Sequence, residues 1–121
     1  MDKIIIKDLK LYAYHGVNPE EKINGQIFIL DIDAWVDISA PCKSDNVEDT
    51  VNYAEVIYEA TRIFTCQKDD LIERAAERVA QGLFEKFGAI KTLKILLKKP
   101  DAPIDADFGY VGVEITRERK D

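Results

Sequence analysis

Alternating apolar and polar residues mark the first third of the chain. Over residues 28–38 every second residue is apolar, and Asp31, Asp33 and Asp37 occupy positions between them. Residues 3–14 alternate less strictly. Because successive side chains of a strand point to opposite faces, both segments are predicted to be strands. The second should have one buried and one largely polar face.

A helical period follows in the middle of the chain. In the segment 71–87 a broad apolar stripe recurs at helical spacing, and its members are Leu71, Ile72, Ala75, Ala76, Val79, Ala80, Leu83, Phe84 and Phe87. Asp70 and Glu73 resemble a capping box at its start, and Gly88 ends it. Another helix is predicted over 53–66, with a stripe formed by Ile57, Tyr58, Thr61 and Phe64.

Strand signals return after the helices. They cover residues 92–99 and about 108–117, and the first of these stops at Pro100 because proline lacks the N–H that a strand ladder needs. Residues 15–26 and 40–52 are predicted to be connections. The order β-β-α-α-β-β indicates an α+β fold, with two helices on one face of a four-stranded, mainly antiparallel sheet. A length of 121 residues suits a single domain, 1–121.

The length of the predicted strands bears on how subunits assemble. Open strand edges invite pairing with another chain unless proline or a bulge blunts them, and no such signal interrupts these segments. We therefore expect neighbouring subunits to continue the sheet, in the limit closing a barrel. The polar face of the second strand would line the inside of that barrel.

Composition and charge limit the classes of binding partner and the cellular compartment that we expect. The net charge is −6 and the pI is about 4.8, which disfavours nucleic acid because phosphate backbones select basic surfaces. No apolar run approaches the roughly 20 residues of a membrane span. The charged start is unlike a secretory signal, so a cytoplasmic protein is expected.

The metal-ligating residues are few. There is one histidine, His15, and the two cysteines, Cys42 and Cys66, are far apart and lack CxxC spacing. Three candidate soft ligands do not make an ordinary zinc site, so no metal and no cofactor are predicted. A histidine next to glycine at a strand end is typical of a structural hydrogen-bonding residue, and this is the role we expect for His15.

Four polar side chains are candidates for chemistry, namely Glu21, Tyr53, Glu73 and Lys99. From the residues alone each has an ordinary alternative: a helix cap for Glu73, packing for Tyr53, and solvated positions for the other two. Spacing does not distinguish Lys99 from Lys98, or Glu21 from Glu20.

Four motifs together carry a resemblance to a known family. LYAYHGVNPEEKINGQIF, SDNVEDTVNYAEV, LIERAAERVA and KKPDAPI with GYVGVEITRE follow one another along nearly the whole chain. They resemble dihydroneopterin aldolases of folate biosynthesis. The resemblance implies the tunnelling fold, an octamer of two stacked tetrameric rings, and active sites between adjacent subunits.

The resemblance also implies a reaction. Members cleave 7,8-dihydroneopterin by a retro-aldol step into 6-hydroxymethyl-7,8-dihydropterin and glycolaldehyde, and often show epimerase activity. Because the N5=C6 imine of the substrate takes up the electrons, neither a metal nor a lysine Schiff base is required. The alternatives are a dihydroneopterin triphosphate epimerase, for which the chain lacks a basic cluster, and a non-catalytic pterin-binding ring protein.

Matching the motifs assigns roles to the candidates. Glu73 is implied to accept hydrogen bonds from the pterin amino group and the adjacent ring N–H. Lys99, rather than Lys98, is implied to act as general acid and base, and Tyr53 to relay the proton that quenches the enol. The remaining implied contacts are Glu21, rather than Glu20, with the side-chain hydroxyls or a water, and the backbone near Val51 and Ile72 with the ring.

Overall fold

A four-stranded antiparallel sheet forms one layer of the structure, a computed structural model that describes residues 1–120. Its strands lie side by side in chain order: β1 (Lys3–Ala13), β2 (Gln26–Trp35), β3 (Thr92–Lys99) and β4 (Val111–Glu118). Two long helices, α3 (Tyr53–Thr65) and α4 (Ile72–Lys86), form the other layer. The predicted α+β architecture is confirmed, although the fourth strand begins three residues later than expected.

The core lies between the sheet and these helices. Alternate residues of β2 point into it and are fully or almost fully buried: Phe28, Leu30, Ile32 and Ala34. They belong to the same core cluster as the buried residues of α4, Ala75, Ala76, Val79, Ala80, Leu83 and Phe84. The alternation of β2 therefore buries one face of the sheet against an amphipathic helix pair.

The opposite face of the sheet carries charge. Asp33 of β2 pairs with Lys3 across a gap of 3.3 Å, and Asp31 pairs with Lys98 at 3.0 Å. Lys94 of β3 lies 3.6 Å from Glu114 of β4. The polar face predicted for the second strand is thus a ladder of ion pairs on the side of the sheet away from α3 and α4.

Two connections contain helices that the apolar pattern does not predict. The first holds α1 (Pro19–Asn24), and the second holds α2 (Ser39–Ser44) and a 3₁₀ turn over Val47–Asp49. Both helices are six residues long, too short to show a helical apolar period. The expectation of plain loops over 15–26 and 40–52 is therefore wrong.

The expected helix details are corrected in two places. The N-cap of α4 is Leu71 and makes no side-chain capping bond, so the capping box predicted at Asp70 and Glu73 is absent there. In α3 the buried residues are Val56, Ala60, Ile63 and Phe64, while Tyr58 is exposed. The predicted apolar stripe therefore lies to one side of the buried face that α3 has in the structure. The difference arises because Ala60 is too small to mark an apolar position in the sequence.

The β1 edge is interrupted by a bulge that the sequence did not reveal. Its register with β2 shifts between Ile6 and Leu9, and Asp8 adopts a left-handed φ of 56°. The Asp8 N–H donates to the Asp31 carboxylate at 2.7 Å, which holds the bulge against the charged face of the sheet. No helix among the described residues is long and apolar enough to cross a membrane.

Candidate active site

The centre of the candidate site is a buried pair between Lys99 and Glu21. Lys99 is the last residue of β3, and its Nζ lies 2.6 Å from Oε2 of Glu21 in α1. The exposed fractions of the two side chains are only 12% and 7%. A charge-assisted hydrogen bond of this length, shielded from water, fixes both groups strongly.

Glu21 is held from several other directions. Gln26 Nε2 donates to the same Oε2 at 2.9 Å, and the Asn18 N–H approaches Oε1 at 3.4 Å. Burial acts to raise the pKa of Glu21, but the hydrogen bonds from Lys99 and Gln26 outweigh it and hold this pKa below its usual value. The carboxylate is therefore ionised at neutral pH.

Gly16 allows this carboxylate to lie against the backbone. A Cβ at position 16 would overlap the carboxylate of Glu21, and the φ of +150° is one that residues with side chains rarely adopt. Gly16 and Gln26 were not among the candidates from sequence. The signal available for α1 was Asn18, then Pro19 at the first helical position, then Glu21, a pattern typical of a helix start.

The structure separates the two pairs that spacing left ambiguous. Lys98 points to the charged face of the sheet, where it binds Asp8 at 2.9 Å and Asp31 at 3.0 Å, and these partners raise its pKa. Glu20 is exposed, whereas Glu21 is buried beside Lys99. Only the Lys99 and Glu21 alternatives lie together in a cleft.

The cleft has a volume of about 290 Å³ and continues to the start of α4. Ile72 and Glu73, in the first turn of α4, line it together with Glu21 and Lys99. Apolar walls come from Val17, Leu71, Ala102, Pro103, Ile104 and Val111. Since α4 has no side-chain cap, Glu73 is not engaged in capping.

Tyr53 and Val51 lie in a different cleft. They line a depression of about 580 Å³ with Ile4, Ile38 and other residues around the start of α3. Ile4 pairs with Ala34 near one end of the sheet, whereas Lys99 is at the other end of β3. At about 3.3 Å per residue, the two ends of β3 are roughly 23 Å apart. Within one chain the predicted site residues thus form two separate groups.

The first group can bind a polar ligand and move protons. An ammonium, a buried carboxylate and the Glu73 carboxylate converge on one cleft with apolar walls, which is the arrangement expected of a small-molecule site with acid–base chemistry. Within residues 1–120 no three His, Cys, Asp or Glu side chains are grouped to hold a metal ion.

The fold and this cleft define a small α+β enzyme domain with acid–base machinery. The family model described as FolB: Dihydroneopterin aldolase matches residues 4–116. The chain belongs to the dihydroneopterin aldolase family.

Individual relatives agree with this assignment. The chain is 41% identical over 119 residues to dihydroneopterin aldolase 1 of Arabidopsis thaliana, covering 98% of this chain and 82% of the relative. It is 38% identical over 119 residues to dihydroneopterin aldolase of Streptococcus pyogenes serotype M18, covering 98% and 100%. The solved structure of E. coli dihydroneopterin aldolase in complex with neopterin matches with a TM-score of 0.89 at 32% identity, covering 97% of this chain and 99% of that one. The predicted family, its lyase class and its fold are confirmed.

Proposed function

We propose that this chain cleaves 7,8-dihydroneopterin into 6-hydroxymethyl-7,8-dihydropterin and glycolaldehyde. The observation that carries the proposal is the buried contact of Lys99 with Glu21 in the cleft that Glu73 and Ile72 also line. Family membership supplies the substrate class, and the E. coli relative is described in complex with neopterin.

Glu73 and Ile72 would hold the heterocycle. A carboxylate can accept two parallel hydrogen bonds, from the pterin amino group and the adjacent ring N–H, in a planar fork. Glu73 is exposed in the first turn of α4, so its carboxylate is available to a ligand. The backbone near Ile72 would contact the ring at the same end of the cleft.

Lys99 and Glu21 would move protons at the other end. Loss of the proton of the side-chain 2′-hydroxyl makes the aldehyde carbonyl and breaks the C1′–C2′ bond. The electron pair enters the conjugated N5=C6 imine, where an ammonium donates a proton to N5. Lys99, paired with the ionised Glu21, would be that donor, and Glu21, directly or through a water, would accept the proton of the 2′-hydroxyl. The resulting enol then gains a proton at C1′, while N5 returns its proton to Lys99 and the N5=C6 double bond forms again.

Tyr53 of a neighbouring subunit would relay the proton that C1′ gains. Val51 of the same neighbouring subunit would contact the ring. Support comes from their separation from Lys99 in one chain and from the 66% exposure of Tyr53. We propose rings of four subunits, stacked in pairs as an octamer, in which adjoining sheets close a barrel lined by the ion-paired face. The two free, exposed thiols are consistent with a reducing cytoplasm.

Turnover of dihydroneopterin, followed as released glycolaldehyde, tests the proposal. We expect Lys99→Ala and Tyr53→Phe to lower kcat by about 100-fold or more, the usual weight of a positioned proton donor. Lys98→Ala is the matched control, because its side chain lies on the other face of the sheet, and it should retain activity. Full turnover by the Lys99 and Tyr53 variants would refute the assigned roles. Pterin binding without turnover by the wild type would identify the non-catalytic ring protein instead.

Epimerisation is proposed as a side activity of the same site. Religation of glycolaldehyde to the enol before release would invert the 2′-centre, and chromatography of the product pterins would reveal dihydromonapterin. For a triphosphate substrate the chain offers little charge: Lys22, one of the few candidate cations, is paired with Asp70 at 2.8 Å. An unphosphorylated substrate is therefore favoured.

A further inference from the structure

The two segments that carry the acidic site residues are joined at the buried side chain of His15. Its Nδ1 accepts the N–H of Asp69 at 2.9 Å, and its Nε2 faces the carbonyl of Phe64 at 2.9 Å. The ring is fully buried and packs edge-on against Phe28 and Phe64. One imidazole thus connects the end of β1 to α3 and to the segment before α4.

These hydrogen bonds define the protonation state of the ring. An imidazole nitrogen that accepts a backbone N–H carries no proton, so the proton lies on Nε2 and is donated to Phe64. The carboxylate of Asp69, 3.8 Å from Nδ1, is occupied elsewhere: it accepts from Arg78 at 2.5 and 2.9 Å and from Gln67 at 2.7 Å.

A backbone hydrogen bond completes the junction. The Gly16 N–H donates to the carbonyl of Asp69 at 3.0 Å, while the N–H of Asp69 binds His15. Lys22 adds a cross-link, with Nζ 2.5 Å from the Gly16 carbonyl and 2.8 Å from Asp70. Residues 15–16 and 69–70 are therefore held in one fixed arrangement.

This junction lies directly behind the two ends of the cleft. Gly16 contacts the Glu21 carboxylate, and Asp69 precedes Ile72 by only three residues. We propose that His15 is a positioning residue that sets the separation between the Glu21–Lys99 pair and the Glu73 end of the ligand cleft. This inference rests on the proposed function, because it assigns to the junction the alignment of one pterin between these groups.

Two polar substitutions of His15 separate this role from simple packing. An Asn side chain can place its amide oxygen near the position of Nδ1, and a Gln side chain can place its amide nitrogen near the position of Nε2. His15→Asn therefore keeps an acceptor for the Asp69 N–H, whereas His15→Gln keeps the donor to Phe64 and loses that acceptor. Both variants lose the aromatic ring, and His15→Asn, which is one methylene shorter, leaves the larger gap. Packing alone therefore predicts the greater effect for His15→Asn, whereas the positioning role predicts it for His15→Gln.

Binding of neopterin at equilibrium, together with kcat and KM for dihydroneopterin, is the measurement. We expect His15→Gln to raise the Kd and KM about tenfold, which corresponds to the loss of roughly one net hydrogen bond to the ligand. His15→Asn, which keeps the acceptor for the Asp69 N–H, should leave both close to their wild-type values. Leu83→Ala, in the fully buried core, lowers stability away from the junction and should leave the Kd unchanged.

Four outcomes would contradict the inference or the proposed function on which it rests. Equal Kd values for His15→Gln and His15→Asn would overturn it, as would a Kd that follows the loss of stability across all variants. If His15→Gln does not fold, Arg78→Met is the second variant. It removes the guanidinium that binds the Asp69 carboxylate and so loosens the same junction. It must raise the Kd for the inference to hold. Failure of the wild type itself to bind neopterin would contradict the proposed function rather than the role of His15.

Discussion

At the residue scale, Gly16 is the position with the least room for change. Its φ of +150° is unfavourable for any other residue, and an added Cβ would overlap the Glu21 carboxylate. That carboxylate is also held by Lys99 and Gln26. A methyl group at position 16 must therefore displace the carboxylate from these partners. The consequence should appear in catalysis more strongly than in folding.

We therefore predict that Gly16→Ala lowers kcat/KM for dihydroneopterin by about 100-fold, since the Lys99–Glu21 contact would shift by roughly 1 Å. Gly88→Ala is the control, because a Cβ there meets nothing within 4 Å. Steady-state kinetics on both variants, with urea unfolding to show that they are folded, make the comparison. Wild-type kinetics for Gly16→Ala would contradict the tight packing inferred around Glu21.

At the same scale, the limits of the sequence are clear from Lys99 and Glu21. They are distant in the chain, and nothing in their spacing implies contact. Motif matching identifies both, but not Gly16 and Gln26, which hold Glu21, because a glycine and a glutamine in a predicted loop have no distinctive pattern. Their importance depends on a three-dimensional contact, namely the position of the carboxylate between them.

At the scale of elements, strong periodicity predicted the structure well and short segments did not. The alternation of β2 and the stripe of α4 identified their buried faces, because each extends over ten or more residues. The sequence predicts a loop over the six residues of α1, although this helix carries Glu21. A short helix depends on tertiary contacts for stability, and those contacts are not visible in a local pattern.

The buried connection between the two layers makes the stability of the fold depend on pH. His15 links β1 to α3, and burial lowers its pKa from the ordinary 6.5, outweighing the backbone hydrogen bond of Phe64 and the charge of Asp69; Arg78 and Lys22 lower it further. Below pH 6.5 the unfolded chain binds a proton at position 15 that the folded chain does not bind. The free energy of unfolding must therefore fall as the pH falls.

We expect a loss of up to about 1 kcal/mol between pH 6.5 and 5.5, measured by urea unfolding at a fixed subunit concentration. His15 is the only histidine, so His15→Asn should remove this slope. Carboxylates with lowered pKa, among them Glu21 and Asp69, add to acid destabilisation only below about pH 5. An unchanged slope in the variant would show that His15 is not the titrating group.

At the scale of the whole molecule, the two groups of site residues occupy opposite ends of one sheet. Lys99, Glu21 and Glu73 lie at one end and Tyr53 and Val51 at the other. Both β1 and β4 are edge strands, and Tyr53 and Leu71 are exposed near the two clefts. A head-to-tail ring would bring the Tyr53 end of one subunit against the Lys99 end of the next. Sequence patterns predict open edges, but not the separation of these candidate residues within one chain.

Mixed rings test this arrangement directly. In proteins assembled from equal amounts of Lys99→Ala and Tyr53→Phe subunits, about one quarter of the interfaces should combine an intact Lys99 end with an intact Tyr53 end. We expect co-refolded mixtures to recover roughly 25% of wild-type turnover on this count, while each variant alone remains inactive. The control is the double variant mixed with Lys99→Ala, in which no interface has both residues. Native mass spectrometry would verify that subunits mix, and activity no higher than the sum of the parents in verified mixed rings would mean that Tyr53 does not act across a subunit boundary.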